Sequence, residues 1–208
     1  QWLGGIGIIV VAMVFLPELR VGGMQIFKSE GFDTFGKILP RATEIAAQVA
    51  WLYVGLTGAC AVLYIATGMR SFDAVLHAMT TIATGGFSTY DSSFVKFGAS
   101  TEYAAVVFMC LAALPFVRYV QLINGAPSSL FHDSQVRVFF IVLLVTVGFL
   151  TLVLWQGYQL SGELGFRKAL FNVVSITTGT GYASADYSSW GPVALVVFFY
   201  AGLVGGCA

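Results

Sequence analysis

Along the 208-residue chain, long apolar runs alternate with polar connectors, and the runs come in two lengths. Five are long: Trp2 to Leu19, Ile45 to about Thr67, Tyr103 to Ile123, Val138 to about Tyr158, and Pro192 to Ala208. A helix needs about 20 residues to cross the hydrocarbon core, so each of these reads as a membrane span. Two runs are short, Phe72–Ile82 and Phe166–Ile176. Eleven residues make about 16 Å of helix, too little to cross. Each short helix must therefore enter and leave on the same side. The predicted order is span, half-helix, loop, span, twice over, after one preceding span.

The two short runs open variants of one stretch. Phe72 to Asp91 reads FDAVLHAMTTIATGGFSTYD, and Phe166 to Asp186 reads FRKALFNVVSITTGTGYASAD. The separation is 94 positions at the phenylalanines and 95 at the aspartates, so one inserted residue near Thr180 accounts for the difference. A period this long is a duplicated module and not a solenoid. A surface helix is the alternative for each short run. The Gly/Thr loop that follows both favours re-entry, since irregular backbone at membrane depth is tolerated only inside protein or against a wet cavity.

Composition agrees with a lipid environment. Hydrophobic residues make up 58% of the chain, charged residues 10%, and the mean hydropathy is +0.85. Soluble domains carry about 25% charged residues, so this chain cannot cover a water-facing surface. A net charge of zero argues against nucleic acid as a partner. The chain opens inside one apolar run and stops inside another, so it reads as an internal piece of a longer membrane protein. Arg20, Lys28, Lys37, Arg41, Arg118 and Arg137 fall on one side, and Arg70, Lys96, Arg167 and Lys168 on the other. The richer side reads as cytoplasmic, and both half-helices then enter from outside.

The loops Ala83-Thr84-Gly85-Gly86-Phe87 and Thr178-Gly179-Thr180-Gly181-Tyr182 are the candidate site. Glycine adopts positive φ without steric cost, so such a strand can turn successive carbonyls toward one axis. Those carbonyls can replace the hydration shell of a monovalent cation, and the C-terminal end of each half-helix adds partial negative charge. A divalent site would call for several carboxylates. Here Asp91 and Asp186 come only after the loops, either concentrating cations at an outer mouth or capping the next turn. Phe87 and Tyr182 either brace the loops from behind or are ordinary core.

At these residues the chain resembles the Trk/Ktr/HKT superfamily of potassium transporters, and most of all its bacterial TrkH-type subunits. The motifs are WLGGIGI (Trp2–Ile8), TTIATGGFSTYDSSF (Thr80–Phe94), SITTGTGYASADYSSWG (Ser175–Gly191) and GLVGGCA (Gly202–Ala208). The resemblance implies an all-α integral membrane protein with four helix–pore-loop–helix units of potassium-channel type around one pore. Residues 1–44 would then be the last helix of unit one plus a cytoplasmic connector, 45–124 all of unit two, and 125–208 unit three into its second helix. The key filter glycines would be Gly86 and Gly181, and Gly205 and Gly206 would begin an intramembrane gate. The resemblance also implies the bacterial cytoplasmic membrane, a homodimer and a cytoplasmic nucleotide-binding regulatory subunit. No covalent cofactor is implied, and potassium is the substrate. Pro115–Gln135 follows the family pattern less closely, and filters one and four lie outside the chain.

The remaining polar residues admit plainer readings. Arg118 is either functional or snorkels to the headgroups at a helix end. His77 and His132 fall at different depths, which disfavours joint ligation of one cofactor, and His77 is expected to bond a neighbouring span. Cys60, Cys110 and Cys207 lie in separate apolar runs, as buried packing residues do. Pro115 predicts a kink in the third span. The segment from Val21 to Thr43 is either an amphipathic helix or an interfacial loop.

The leading expectation is potassium translocation through backbone-carbonyl sites, with no covalent chemistry. Two alternatives stand beside it: a sodium-permeable or sodium-coupled symporter, and an alternating-access carrier with discontinuous helices. A membrane enzyme would need a nucleophile–base set or clustered ligands at one depth, and the sequence offers none.

Overall fold

A computed structural model describes residues 1–5, 42–123, 133–157 and 162–205, and every regular element among them is helical. In chain order these are α1 (Ala42–Ala66), α2 (Ser71–Ile82), α3 (Ala99–Ala113), α4 (Phe116–Ile123), α5 (Ser134–Gly157), α6 (Gly162–Thr177), a 3-10 turn (Tyr187–Trp190) and α7 (Gly191–Gly205). Residues 2–5 add a helical turn. The connector before α1, along with Gly206, Cys207 and His132, lies outside the described residues.

Among the described residues, three helical stretches are long and apolar enough to cross a membrane: Ala46–Ala66, Ser134–Gly157 and Tyr187–Gly205. They are apolar on every face, and most of that surface is not covered by protein. Trp51, Val62, Leu144, Val145 and Phe199 are all exposed. In water such a surface would aggregate; in lipid it is ordinary. The covered stripe of α5 is Leu143, Val147, Leu150 and Leu154, spaced by three and four residues as one helix face requires. It packs against α6, which also meets α3 and α7, while α2 packs against α1 and α3.

The half-helices are short, as expected. α2 has 12 residues and α6 has 16, so α6 begins about a turn earlier than its apolar run. The third span departs from expectation. One kinked helix was predicted over Tyr103–Ile123, whereas α3 and α4 are separate helices bent by 87° at Leu114–Pro115. Proline disfavours helical ψ in the residue before it, and Leu114 is extended at φ −78, ψ 148. The Tyr119 hydroxyl then donates to the Leu111 carbonyl at 2.7 Å, satisfying an acceptor that the break leaves without its helical partner. Arg118 neither snorkels free nor stands alone. It pairs with Asp133 at 2.8 Å and donates to Gln121 at 3.0 Å.

The core between the two repeated modules is aromatic. Phe94 is fully buried, with ring centroids of Tyr182 at 4.5 Å, Phe171 and Phe97 at 5.1 Å, and His77 at 5.5 Å. This cluster joins the segment after the first loop to the second half-helix and its loop. Close by, the Phe94 N–H donates to the Ala183 carbonyl and the Ala183 N–H to the Ser93 hydroxyl.

Candidate functional site

Each half-helix ends by the same local chemistry. The Ala83 N–H bonds back four residues to Met79 and the Thr84 N–H three residues to Thr81. In the second copy, Thr178 bonds Val174 and Gly179 bonds Ile176. Beyond the helix end, the Thr80 hydroxyl donates to the Phe87 carbonyl at 2.8 Å, and the Ser175 hydroxyl donates to the Tyr182 carbonyl at 2.7 Å. Ser175 stands 95 positions after Thr80, and Tyr182 stands 95 after Phe87. The structural repeat therefore runs without a gap through the loop, and the residue inserted near Thr180 in the sequence alignment is not needed. The phenylalanines Phe72 and Phe166, which suggested it, are not equivalent positions.

Left-handed backbone recurs at alternate residues, at Thr84 and Gly86 in the first loop and at Gly179 and Gly181 in the second. Alternation of this kind keeps successive carbonyls on one side of a strand. Among the described residues, no donor reaches the carbonyls of Ala83, Thr84, Gly85 and Gly86, nor those of Thr178, Gly179, Thr180 and Gly181. Two runs of four such carbonyls, on residues that are mostly half-buried or exposed, amount to an acceptor surface open to a donor or a cation. The carbonyls of Phe87 and Tyr182 differ, since a hydroxyl from the half-helix holds each.

The loops meet. Gly86 lies against the Thr180 carbonyl so closely that a side chain there would overlap it, at a φ of +63. Gly85 is covered by the Gln1 side chain. The helical turn carrying Gln1 is fixed in turn by Trp2, whose indole N–H donates to Thr57, and by Tyr53, whose hydroxyl donates to the Trp2 carbonyl.

The aromatics part company. Tyr182 is buried, and its hydroxyl reaches Thr80 at 2.5 Å, with the His77 carbonyl at 3.1 Å. The Tyr182 hydroxyl donates to the His77 carbonyl and shares a hydrogen bond with the Thr80 hydroxyl, in which either oxygen can be the donor, so the second loop is tied to the first half-helix. Tyr182 thus braces from behind, as one of the two sequence readings has it. Phe87 does not, being 67% exposed.

The expected outer acids behave differently from each other. Asp186 caps the 3-10 turn, accepting from the Ser188 N–H at 3.1 Å and from the Ser188 hydroxyl. Asp91 is exposed. Gly205 ends α7 against the Thr177 carbonyl, where a side chain would overlap it. His77 corrects an expectation. It bonds no neighbouring span, but its own helix and loop: Nδ1 donates to the Asp73 carbonyl at 2.7 Å, which leaves Nε2 to accept from Ser88 at 2.9 Å in the neutral ring.

Several polar residues at the start of the half-helices escaped the sequence reading. Asp73 accepts from Thr89 and Tyr90, both at 2.8 Å, and pairs with Arg70 at 2.9 Å. The Tyr90 hydroxyl chiefly, with Thr89 and Arg70, holds its carboxyl below the ordinary range against the opposing effect of burial. In the second copy, Lys168 donates to the Ser184 carbonyl at 2.8 Å and to Glu102 at 2.6 Å, while Asn172 bonds the Ser184 N–H and hydroxyl at 3.2 Å. Arg167 joins the same Glu102 at 2.8 Å. Of these, Arg70, Arg167 and Lys168 served only to orient the chain, and Asp73, Glu102 and Asn172 carry no motif that would single them out.

Short helices that stop within a bundle of spans and present unpaired backbone oxygens define a class, the pore-loop membrane proteins. Within that class the chain belongs to the TrkH family, whose model, described as a cation transport protein, matches residues 1–208. It is 44% identical over 213 residues to the Trk system potassium uptake protein TrkI of Halomonas elongata, covering 100% of this chain and 42% of that protein. The corresponding figures for TrkH of Escherichia coli K12 are 36% identity over 213 residues, 100% and 44%. The crystal structure of the potassium transporter TrkH from Vibrio parahaemolyticus superposes with a TM-score of 0.79 at 32% identity, over 97% of this chain and 41% of that one. The chain thus spans about two-fifths of the length of these relatives.

Proposed function

We propose that this chain forms two of the pore units of a potassium uptake protein, with Ala83–Phe87 and Thr178–Tyr182 as two strands of its selectivity filter. The observation that carries this reading is the pair of unpaired carbonyl runs at the ends of two half-helices. Four oxygens per strand, at neutral charge and beside a helix C-terminus, suit a monovalent cation stripped of water. The Phe87 and Tyr182 carbonyls close each strand, since a hydroxyl from the half-helix already anchors them. That relatives are named as potassium uptake proteins supports potassium as the ion.

In this reading the units are residues 45–124 and 125–208, with residues 1–44 closing a unit before them. Ions lose water near Asp91 and Asp186, pass the carbonyl sites, and cross a cavity below whose exit Gly205 and Gly206 control. Gly205 supports the last step by its seat on the Thr177 carbonyl at the foot of the second strand. The whole protein would sit in a bacterial inner membrane as a homodimer with a cytoplasmic nucleotide-binding subunit, as the family resemblance implies.

The experiment is rubidium and sodium uptake by the full-length parent protein in proteoliposomes. Rubidium uptake that strongly exceeds sodium uptake is expected. Equal uptake of both ions would sink the potassium assignment, and uptake of neither by folded protein with its regulator would favour a carrier.

A further inference from the structure

The two half-helices hold their loops from behind by a pair of polar side chains one helical turn apart. In the first, Asp73 and His77 bond Thr89 and Ser88, and in the second, Lys168 and Asn172 both bond Ser184. Lys168 is 95 positions after Asp73, Asn172 is 95 after His77, and Ser184 is 95 after Thr89, so these are equivalent places in the repeat. The geometry is kept while the chemistry changes from carboxylate and imidazole to ammonium and amide. Asp73 on Thr89 and Lys168 on Ser184 are a polar grip at one equivalent position, whereas His77 reaches Ser88, one residue before it.

The second grip has an added link. The Lys168 ammonium donates at once to the Ser184 carbonyl, two residues past Tyr182, and to Glu102 on α3 of the other module. Glu102 is 1% exposed, and its second oxygen takes Arg167. A buried carboxylate between two cations has no room to reorient, so it fixes the lysine, and the lysine fixes the strand. Two residues earlier, the same end of the strand is held by Ser175 on the Tyr182 carbonyl and by the contact of the Tyr182 hydroxyl with Thr80. Both anchors follow directly on Thr180 and Gly181, the part that touches Gly86.

We propose that Lys168, held by Glu102, is a positioning residue that sets the spacing of the second Thr/Gly strand against the first, and with it the discrimination between potassium-sized and smaller cations. The inference rests on the transport reading above. A carbonyl ring discriminates only while its oxygens keep their places, and losing a charge-assisted hydrogen bond of this kind loosens the segment at Ser184 against which the strand ends.

The test compares wild type, Lys168→Met, Lys168→Arg and Glu102→Gln in the full-length protein, reconstituted in proteoliposomes, with the rubidium-to-sodium uptake ratio as the readout. The ratio is insensitive to how much protein inserts, so a merely structural role would lower both fluxes and leave it unchanged. Lys168→Met is expected to lower the ratio about tenfold, the equivalent of one hydrogen bond to a charged group. Glu102→Gln should lower it less, and Lys168→Arg, which keeps charge and donors, should restore it to within about twofold. If Lys168→Met is not recovered folded, Glu102→Gln decides: a wild-type ratio in that variant overturns the proposal. A wild-type ratio in folded Lys168→Met does the same while leaving the transport reading intact. A wild type that takes up no rubidium overturns both.

Discussion

The two Thr/Gly loops start alike and finish differently. Each is closed by a hydroxyl of its own half-helix, Thr80 or Ser175, on the carbonyl of its aromatic residue. Yet Tyr182 is 1% exposed and Phe87 is 67% exposed. The difference lies in what stands behind each ring. Tyr182 rests on the half-helix of the module before its own, through Thr80 and the His77 carbonyl. A loop's backbone path is thus a local property of its module, while the seat of its aromatic belongs to the neighbour. The same relation applied to Phe87 assigns its seat to a half-helix of a further module.

The sharpest way to break this comparison is at the two glycines before the aromatics. Both are left-handed, but only Gly86 is crowded: a side chain there would overlap the Thr180 carbonyl, whereas open space surrounds Gly181. Gly86→Ser must move one strand off the other and is expected to lower the rubidium-to-sodium ratio by more than about tenfold. Gly181→Ser carries only the left-handed strain, about 1–2 kcal/mol, and should be the milder change. Equal ratios in the two variants would show that crowding between the strands is not what holds them.

Next in size is Gly205, whose side of α7 meets the Thr177 carbonyl. Gly205→Ala pushes α7 away from the end of α6 below the loops, without touching the carbonyl runs. Uptake of rubidium and sodium should fall together, several-fold, at an unchanged ratio. A changed ratio would move Gly205 from the gate to the filter.

A smaller effect separates the aromatics. Tyr182→Phe removes the hydroxyl that reaches Thr80 and the His77 carbonyl, at a cost of about 1 kcal/mol. Thermal unfolding of the purified protein in detergent measures it, and an unchanged midpoint in Tyr182→Phe would refute the neighbour-seat argument.

Much of this was legible in the sequence, because lipid leaves few options. A run of about 20 apolar residues spans, one of eleven cannot, and a glycine-rich loop between them must be buried. α1, α5 and α7 therefore fall within a few residues of the expected segments. Register within the repeat was not legible. Aligning Phe72 with Phe166 matched two exposed rings that are one position out of register and forced an insertion near Thr180. The structural equivalence pairs Asp73 with Lys168 and His77 with Asn172, which no residue-similarity argument would align. The break at Pro115 was visible as a kink but not as an 87° turn, since the Tyr119–Leu111 bond that stabilises it depends on the fold.

The smallest expected effect tests whether the first grip is electrostatic at all. Asp73 holds Thr89, Tyr90 and Arg70, and its carboxyl titrates below the ordinary value near 3.8, chiefly through the Tyr90 hydroxyl. A carboxylate whose folded pKa is depressed contributes stability that is fully present above the unfolded pKa and is lost as pH falls through the folded one. Wild-type thermal stability should therefore hold from neutral pH to about 4 and then decline, with Asp73 supplying part of that decline. Asp73→Asn should be less stable at neutral pH and should lose less on acidification, so the two curves converge at low pH. Parallel curves would mean that Asp73 acts through shape alone. The opposite charges at the two equivalent positions, Asp73 and Lys168, would then be a coincidence of packing and not two solutions to one positioning problem.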